Sequence, residues 1–284
     1  MATWEAERDR GERFEFGANW QRFLSCVDDQ RLAAAADSLR RLLAVDSLAG
    51  RSLLDAGCGS GLSSLVARRL GARVCSFDYD PQSVACTMEL RRRFQPDDPD
   101  WTVLPGSVLD QDFLAGLGRF DVVYSWGVLH HTGAMWQAIA NVADLVGPGG
   151  LLALAIYNDQ GLASAVWRRL KACYNRSGAL LRWVILLATV AWFESRTAVK
   201  NVLTLHNPWP VRRWREYFRQ RGMSQWHDYV DWAGGYPFEV AKPEELRDFL
   251  RPRGFELVGL ETTSGLGCNQ FLFQRRPQRQ PEAS

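Results

Sequence analysis

A chain of 284 residues with 34 Lys and Arg against 32 Asp and Glu, 46% apolar and 23% charged, has the composition of an ordinary globular protein. That length suits one α/β domain with an elaboration and excludes a minimal stapled module or a chain disordered in bulk. The net charge of +2 is unevenly spread: residues 161–240 hold 12 basic and 5 acidic side chains, the remainder 22 and 27. Such a basic segment suits an anionic substrate, an acidic partner, peripheral contact with a membrane surface, or a solvated helical face.

The opening "MATWEAERDRGERFEFG" is charged throughout and lacks the apolar stretch of a secretory signal. Six cysteines (26, 58, 75, 86, 173 and 268) form no CxxC pair and no regular spacing. Neither a disulfide framework nor a metal site is therefore expected, and a reducing, cytoplasmic setting fits.

Between Trp20 and Leu48 the apolar residues Phe23, Leu24, Val27, Leu32, Leu39, Leu42 and Leu43 recur at helical spacing and predict one or two amphipathic helices. "SLLDAG" then reads as a strand, Leu62–Leu70 as a helix stopped by Gly71, "RVCSFDYD" as a second strand, and Pro81–Phe94 as a helix with proline at its start. "WTVLPGSVLD", "FDVVYSWG" and "GLLALAIYN" are three more strands, with a helix from Met135 to Val146 and a "GPGG" turn before the last of them. This alternation is the mark of a parallel sheet covered on both faces. After Asn158 it breaks for some 80 helical residues rich in tryptophan. It resumes with a helix in "KPEELRDFLRPRGF" and the strands "FELVGLET" and "CNQFLFQR", whose short glycine-containing link predicts an antiparallel pair.

The inserted segment contains "ALLRWVILLATVAWFE", but its apolar run from Trp183 to Phe193 is 11 residues long. A spanning helix needs about 20. A buried or interfacial helix is expected there, with no transmembrane segment.

A glycine-rich turn after the first strand, with an acid ending the second, suits a cofactor that bears a nucleoside: the backbone can come close and the acid takes ribose hydroxyls. Asp78 stands 23 residues after Asp55, but the third glycine of a dinucleotide fingerprint is absent, with Leu62 and Ser64 in its places. This weighs against an NAD-dependent oxidoreductase. "LLDAGCGSG", "VCSFDYD", "FDVVYSWGVLHHTG" and "GPGGLLALAIYN", in order, resemble the motifs of class I S-adenosylmethionine-dependent methyltransferases, and within them the small-molecule branch typified by ubiquinone biosynthesis. The likeness covers residues 50–158 and 243–274.

The resemblance implies a Rossmann-like, doubly wound sheet of seven strands, mostly parallel, with an antiparallel last strand and a helical cap inserted after the fifth. It implies a helical lid over 1–49, a cofactor core over 50–158 and 241–275, a tryptophan-rich substrate cap over 159–240, and a frayed tail over 276–284. By the same resemblance Asp55, Gly57, Cys58, Gly59 and Gly61 shape the methionine site, and Asp78 with Tyr79 holds the ribose. Trp126 faces the amino acid group. For adenine, either Ser107 with the Val108 backbone or Asp110 serves. Phe16 and Trp20 either cover the cofactor or anchor the first helix.

Methyl transfer from a sulfonium needs alignment and, for a hydroxyl or ammonium acceptor, one base. Histidines stand only at 130, 131, 206 and 227. His130 and His131 follow the fourth strand on the edge where open sheets bind ligands, so one of them is the expected base, or else a loop-packing group. Tyr157, Asp159 and His206 are secondary substrate-site candidates, and Tyr236 in "WAGGYPFE" is placed where a turn closes over the pocket. The acceptor is expected to be a small molecule, anionic or aromatic, with an O or N nucleophile. A peptide, carrier-bound or other macromolecular acceptor is the first alternative, and a binding protein that docks a membrane or partner through its cap is another. No nucleic-acid module is recognisable. Oligomeric state is not fixed by the sequence.

Overall fold

The computed structural model describes residues 3–17, 20, 24, 27–204 and 225–277. The strands are β1 (Ser52–Ala56), β2 (Arg73–Asp78), β3 (Trp101–Pro105), β4 (Phe120–Trp126), β5 (Val146–Tyr157), β6 (Phe255–Glu261) and β7 (Cys268–Arg275). They form one sheet in the order β3-β2-β1-β4-β5-β7-β6. The first five are parallel and β7 runs antiparallel between β5 and β6. This is the expected doubly wound, seven-stranded sheet. Strand order reverses between β1 and β4, so the crevice beyond their carboxyl ends is the place for a ligand.

The helices are α1 (Trp4–Asp9), α2 (Asp29–Leu43), α3 (Leu62–Arg69), α4 (Pro81–Phe94), α5 (Gln111–Ala115), α6 (Met135–Asp144), α7 (Leu162–Arg176), α8 (Ala179–Leu203), α9 (Gln225–Gly234) and α10 (Pro243–Leu250). Side-chain alternation along the strands feeds two cores. Leu54, Ala56, Phe77, Val123, Leu152 and Phe271 face one layer, with Ala138, Ile139 and Val142 of α6 and Leu246 of α10. Leu53, Val74, Val122 and Ala153 face the other, with Leu39 and Leu43 of α2, Leu65 of α3 and Leu90 of α4. Each such leucine, fully buried, contributes roughly 1.5–3 kcal/mol of transfer free energy. Asp28 caps α2 by accepting from Arg31 N, and Asp80 caps α4 by accepting from Gln82 N ahead of Pro81.

Local expectations shift in three places. The "GPGG" stretch is the start of β5 rather than a turn before it: Phe120 pairs with Val146 and Val122 with Leu151, the extra residues being absorbed as an irregularity in which Gly149 takes φ +74°. The helix expected over Met135–Val146 ends at Asp144, because Val146 is already paired in the sheet. In the charged N-terminus, α1 is capped by Thr3 and turns Trp4 inward.

Between β5 and α10, the helices α7, α8 and α9 share a small core of their own around Leu186, Tyr229 and Ala233. No helix among the described residues is long and apolar enough to cross a membrane. Much of α8 is exposed, Leu180, Trp183, Val184 and Leu187 included. His206, Trp209, Trp214, Tyr217, Phe218 and the last residues of the tail lie outside the described residues.

Candidate active site

The glycine loop is built on left-handed backbone: φ is +84° at Gly57, +54° at Gly59 and +79° at Gly61. A Cβ on Gly57 would stand 2.4 Å from Val128 Cγ1 of the loop after β4, so a side chain is excluded there twice over. Gly57 N and Cys58 N both donate to Phe77 O, at 2.9 and 3.0 Å, pinning the loop to the end of β2. Gly61 then starts α3 with no side-chain cap, leaving the first N–H groups of that helix toward the loop. Cys58 is buried, accepts from Thr87 Oγ1, and has its thiol pushed well up by burial.

The two motif acids have different surroundings. Asp55 lies behind the loop, 2% exposed, and accepts from Ser64 Oγ at 2.5 Å. Ser64 continues to Ser76, and Trp101 Nε1 donates to Ser76 Oγ, closing a buried chain that fixes β1, β2 and α3 together. Burial raises Asp55 to about 7. Asp78 instead stands at the strand end, with Oδ2 accepting from Gly59 N and Oδ1 from Asp80 N, both at 2.9 Å. Each oxygen keeps lone-pair capacity, and burial raises the group to about 6.

Of the residues expected at adenine, Asp110 caps α5 by accepting from Phe113 N at 3.1 Å, and Val108 O is taken by Asn141 Nδ2 at 2.8 Å. Ser107 Oγ accepts from Leu109 N. Trp126 ends β4 half exposed, its Nε1 donating to Gln270 Oε1 at 3.4 Å. The N-terminal arm reaches this edge: Gly17 N donates to Asp80 Oδ2 at 2.9 Å, Arg13 sits over the Tyr79 ring, and Phe16 packs on His131 at 4.9 Å between ring centres. Trp20 lies over Gly59, where a Cβ would meet its Nε1 at 3.2 Å.

His130 and His131 form a single 3-10 turn, Leu129–His131, directly beyond β4. Their environments assign their tautomers. His131 Nδ1 is 2.6 Å from Pro237 O, a group that only accepts, so Nδ1 carries the proton and Nε2 presents a lone pair. His130 Nδ1 takes the N–H of Tyr157 at 3.4 Å, so its proton is on Nε2, which is buried without a partner. Burial pulls His131 down to about 3, and pulls His130 well below its ordinary value with help from His131 and Lys171. Both are neutral at physiological pH. Tyr157 stacks at 4.0 Å on His130. Asp159 accepts from Gly161 N before α7 and lines a cleft of about 310 Å³ with Trp136, Arg168 and Glu245, a cleft that neither histidine lines.

Two features escape the sequence reading. One is Lys171, fully buried on the inner face of α7, with Nζ donating to Trp232 O and lying 4.3 Å from the Trp232 ring centre and 4.9 Å from that of Phe238. Ser164, Trp167, Lys171 and Asn175 fall on one helical face, a spacing that marks Lys171 as inward-facing once Trp167 is taken as core.

The other is the strap at 232–239, held by its backbone. Trp232 O accepts from Lys171, Gly234 O from Asn175 Nδ2 at 2.6 Å, Tyr236 O from Phe14 N at 3.0 Å, Pro237 O from His131, and Phe238 O from Arg168 Nε at 3.1 Å. Glu239 N donates to His130 O, and its carboxylate accepts from Met135 N. Tyr236 thus reaches the site through its carbonyl, anchored to the arm.

An open sheet reversing between β1 and β4, with a glycine loop after β1, an acid ending β2 and an antiparallel β7, agrees with the class I methyltransferases that the sequence motifs suggest. Residues 27–260 match the methyltransferase domain family, and the chain belongs to it. It is 35% identical over 119 residues to a tRNA U34 carboxymethyltransferase of Methylococcus capsulatus, covering 42% of this chain and 36% of that one. It is 30% identical over 141 residues to a ubiquinone biosynthesis O-methyltransferase of a Caulobacter strain, covering 48% and 50%. The chain thus spans half or less of the length of these relatives. Its fold is similar to the magnesium protoporphyrin IX methyltransferase of Synechocystis with bound S-adenosylmethionine, at TM-score 0.50 and 15% identity over 86% of this chain and 79% of that one.

Proposed function

We propose that this protein transfers a methyl group from S-adenosylmethionine to an oxygen or nitrogen of a small molecule held between the sheet edge and the 159–240 cap, under the 1–49 lid. The observation that carries this reading is the junction of Asp78 with the glycine loop. One carboxylate, already bonded to Gly59 N, retains acceptor capacity for a ribose diol beside glycine backbone that Trp20 covers. Asp55, Gly57, Cys58, Gly59 and Gly61 form the wall along the methionine portion, Asp55 from behind. For adenine, either the N–H side of Val108 with Ser107 or the second oxygen of Asp110 serves, since the helix cap uses Oδ1 alone.

S-adenosylmethionine, when bound, supplies an electrophilic methyl on a sulfonium whose departure leaves a neutral thioether. The chain's own task is to align the acceptor and take its proton. Of the two histidines, His131 is suited to act as the base: Pro237 O holds the ring by Nδ1–H with Nε2 as the lone-pair nitrogen, and negative charge on a bound acceptor would lift its proton affinity from the low value of about 3 that burial imposes. His130, protonated on Nε2, is a donor. Phe16 and Tyr157 pack on the pair, and Trp232 and Phe238 extend that aromatic wall from Tyr157, a surrounding that suits an unsaturated acceptor.

The test is transfer of isotope-labelled methyl from S-adenosylmethionine into a metabolite extract, read by mass spectrometry, with Asp78→Ala as control. Asp78→Ala is expected to weaken S-adenosylhomocysteine binding by about 1–3 kcal/mol, or roughly 5- to 150-fold. Label in a low-mass compound, lost in the control, supports the reading. Label only in protein or RNA, or unchanged affinity in Asp78→Ala, overturns it.

A further inference from the structure

Buried hydrogen-bonding groups are nearly always satisfied, so those that are not point to what is absent. Among the described residues four buried side-chain atoms lack partners, and two of them, His130 Nε2 and Trp232 Nε1, flank the same ring. Tyr157 lies 4.0 Å from His130 and 5.6 Å from Trp232 between ring centres. Both atoms are donors, Trp232 by its chemistry and His130 by the tautomer that Tyr157 N–H imposes.

Lys171 adds a third. Its ammonium, fully buried, uses one N–H on Trp232 O and sits on the Trp232 and Phe238 rings, while its charge reaches both histidines. Asp231 is the acid whose charge reaches Lys171. Two donors, from the β4 loop and the strap, thus flank the Tyr157 ring, and the α7 ammonium lies on the adjoining Trp232 and Phe238 rings. The two oxygens of a ligand carboxylate suit such a set, and an arginine fork of the kind that selects phosphate is not part of it.

We infer that Lys171 Nζ, His130 Nε2–H and Trp232 Nε1–H form a subsite for a carboxylate of the methyl acceptor. The acceptor is thus a carboxylate-bearing molecule whose acid is held on the cap side while its nucleophile is turned toward His131. Burial brings Lys171 down to about 7, and an anion beside it restores the ammonium. The inference rests on the methyltransferase reading for the word acceptor; the anion subsite itself does not.

The experiment uses the full chain, ¹⁵N-labelled, first titrated with S-adenosylhomocysteine and then, saturated with it, with sodium benzoate or benzamide. The Trp232 indole N–H signal, identified by its disappearance in Trp232→Phe, is the reporter. Benzoate is expected to shift it downfield saturably and benzamide to leave it in place. Lys171→Met should weaken benzoate at least tenfold without altering S-adenosylhomocysteine affinity. Trp232→Phe, which keeps an aromatic ring and removes only the donor, should weaken it several-fold. Equal responses to the two probes, no response to benzoate, or benzoate affinity unchanged in both variants overturns the subsite and leaves water as the partner of these donors. Failure to bind S-adenosylhomocysteine overturns the methyltransferase reading separately.

Discussion

Lys171→Met exchanges a buried ammonium for an apolar chain of similar length, and its consequence for stability is set by proton linkage. In the unfolded chain a lysine binds its proton up to its ordinary value of 10.5; in the fold, burial lowers Lys171 to about 7. Above pH 7 the unfolded state therefore binds more protons than the folded one, and the wild type gains stability as pH rises. Each unit is worth about 1.4 kcal/mol at full slope. With the folded group half protonated at pH 7, the gain to about pH 8.5 is about 1.6 kcal/mol, and Lys171→Met lacks it. The window stops there because Cys86 and the half-buried Cys75 and Cys268, raised by desolvation to about 11, 11 and 12 respectively, pull the opposite way once unfolded thiols ionise. Urea unfolding of both proteins across the window reads the difference directly. Parallel stability curves would refute the reasoning and show that the Trp232 carbonyl and the two rings hold the ammonium charged without cost.

His131→Ala should lower kcat by about 10²-fold or more, the usual contribution of a general base, with cofactor affinity intact. His130→Ala should act chiefly on KM, and the reverse pattern in steady-state kinetics would exchange the tautomers. Gly57→Ala combines a strained φ of +84° with a Cβ at 2.4 Å from Val128, whereas Gly50→Ala meets φ +75° with nothing nearby. Gly57→Ala should therefore lose about 1–3 kcal/mol in chemical denaturation, more than Gly50→Ala, and Val128→Ala should recover part of the excess. Equal losses at the two glycines would mean that the loop relaxes away from Val128.

The sheet was legible because the central parallel strands are largely buried on both faces and read as apolar runs between turn signals, and Asp78 was found as the acid that ends the second strand after the glycine turn. The histidine pair was legible as a place, the edge beyond β4. The division of labour within it was not, because each tautomer depends on a backbone group distant in the chain: Pro237 for His131 and Tyr157 for His130. Lys171 was hidden among the basic residues of α7, since Arg168, Arg169 and Lys171 look alike until α9 packs on one side of the helix. The strap is the least legible part, because carbonyl oxygens are present at every residue and only tertiary packing selects which are used. The start of β5 was misjudged because "GPGG" has turn composition, and the pairing of Val146 with Phe120 outweighs it.

The strap also separates what must be kept from what is free to vary. It is gripped through its main chain by the arm, by α7 and by the histidine loop, so most of its side chains carry none of that grip. Gly234 and Gly235, where a Cβ would stand 2.2 Å from Phe14 and 3.1 Å from His131, are exceptions, as are Phe238, buried against Tyr157 and Lys171, and Glu239, whose carboxylate holds Met135 N. Position 236, tied to the arm by its carbonyl, can therefore change size and polarity while the scaffold around the histidines stays registered. It is the natural dial for retuning acceptor choice, in divergence among related enzymes or in the laboratory.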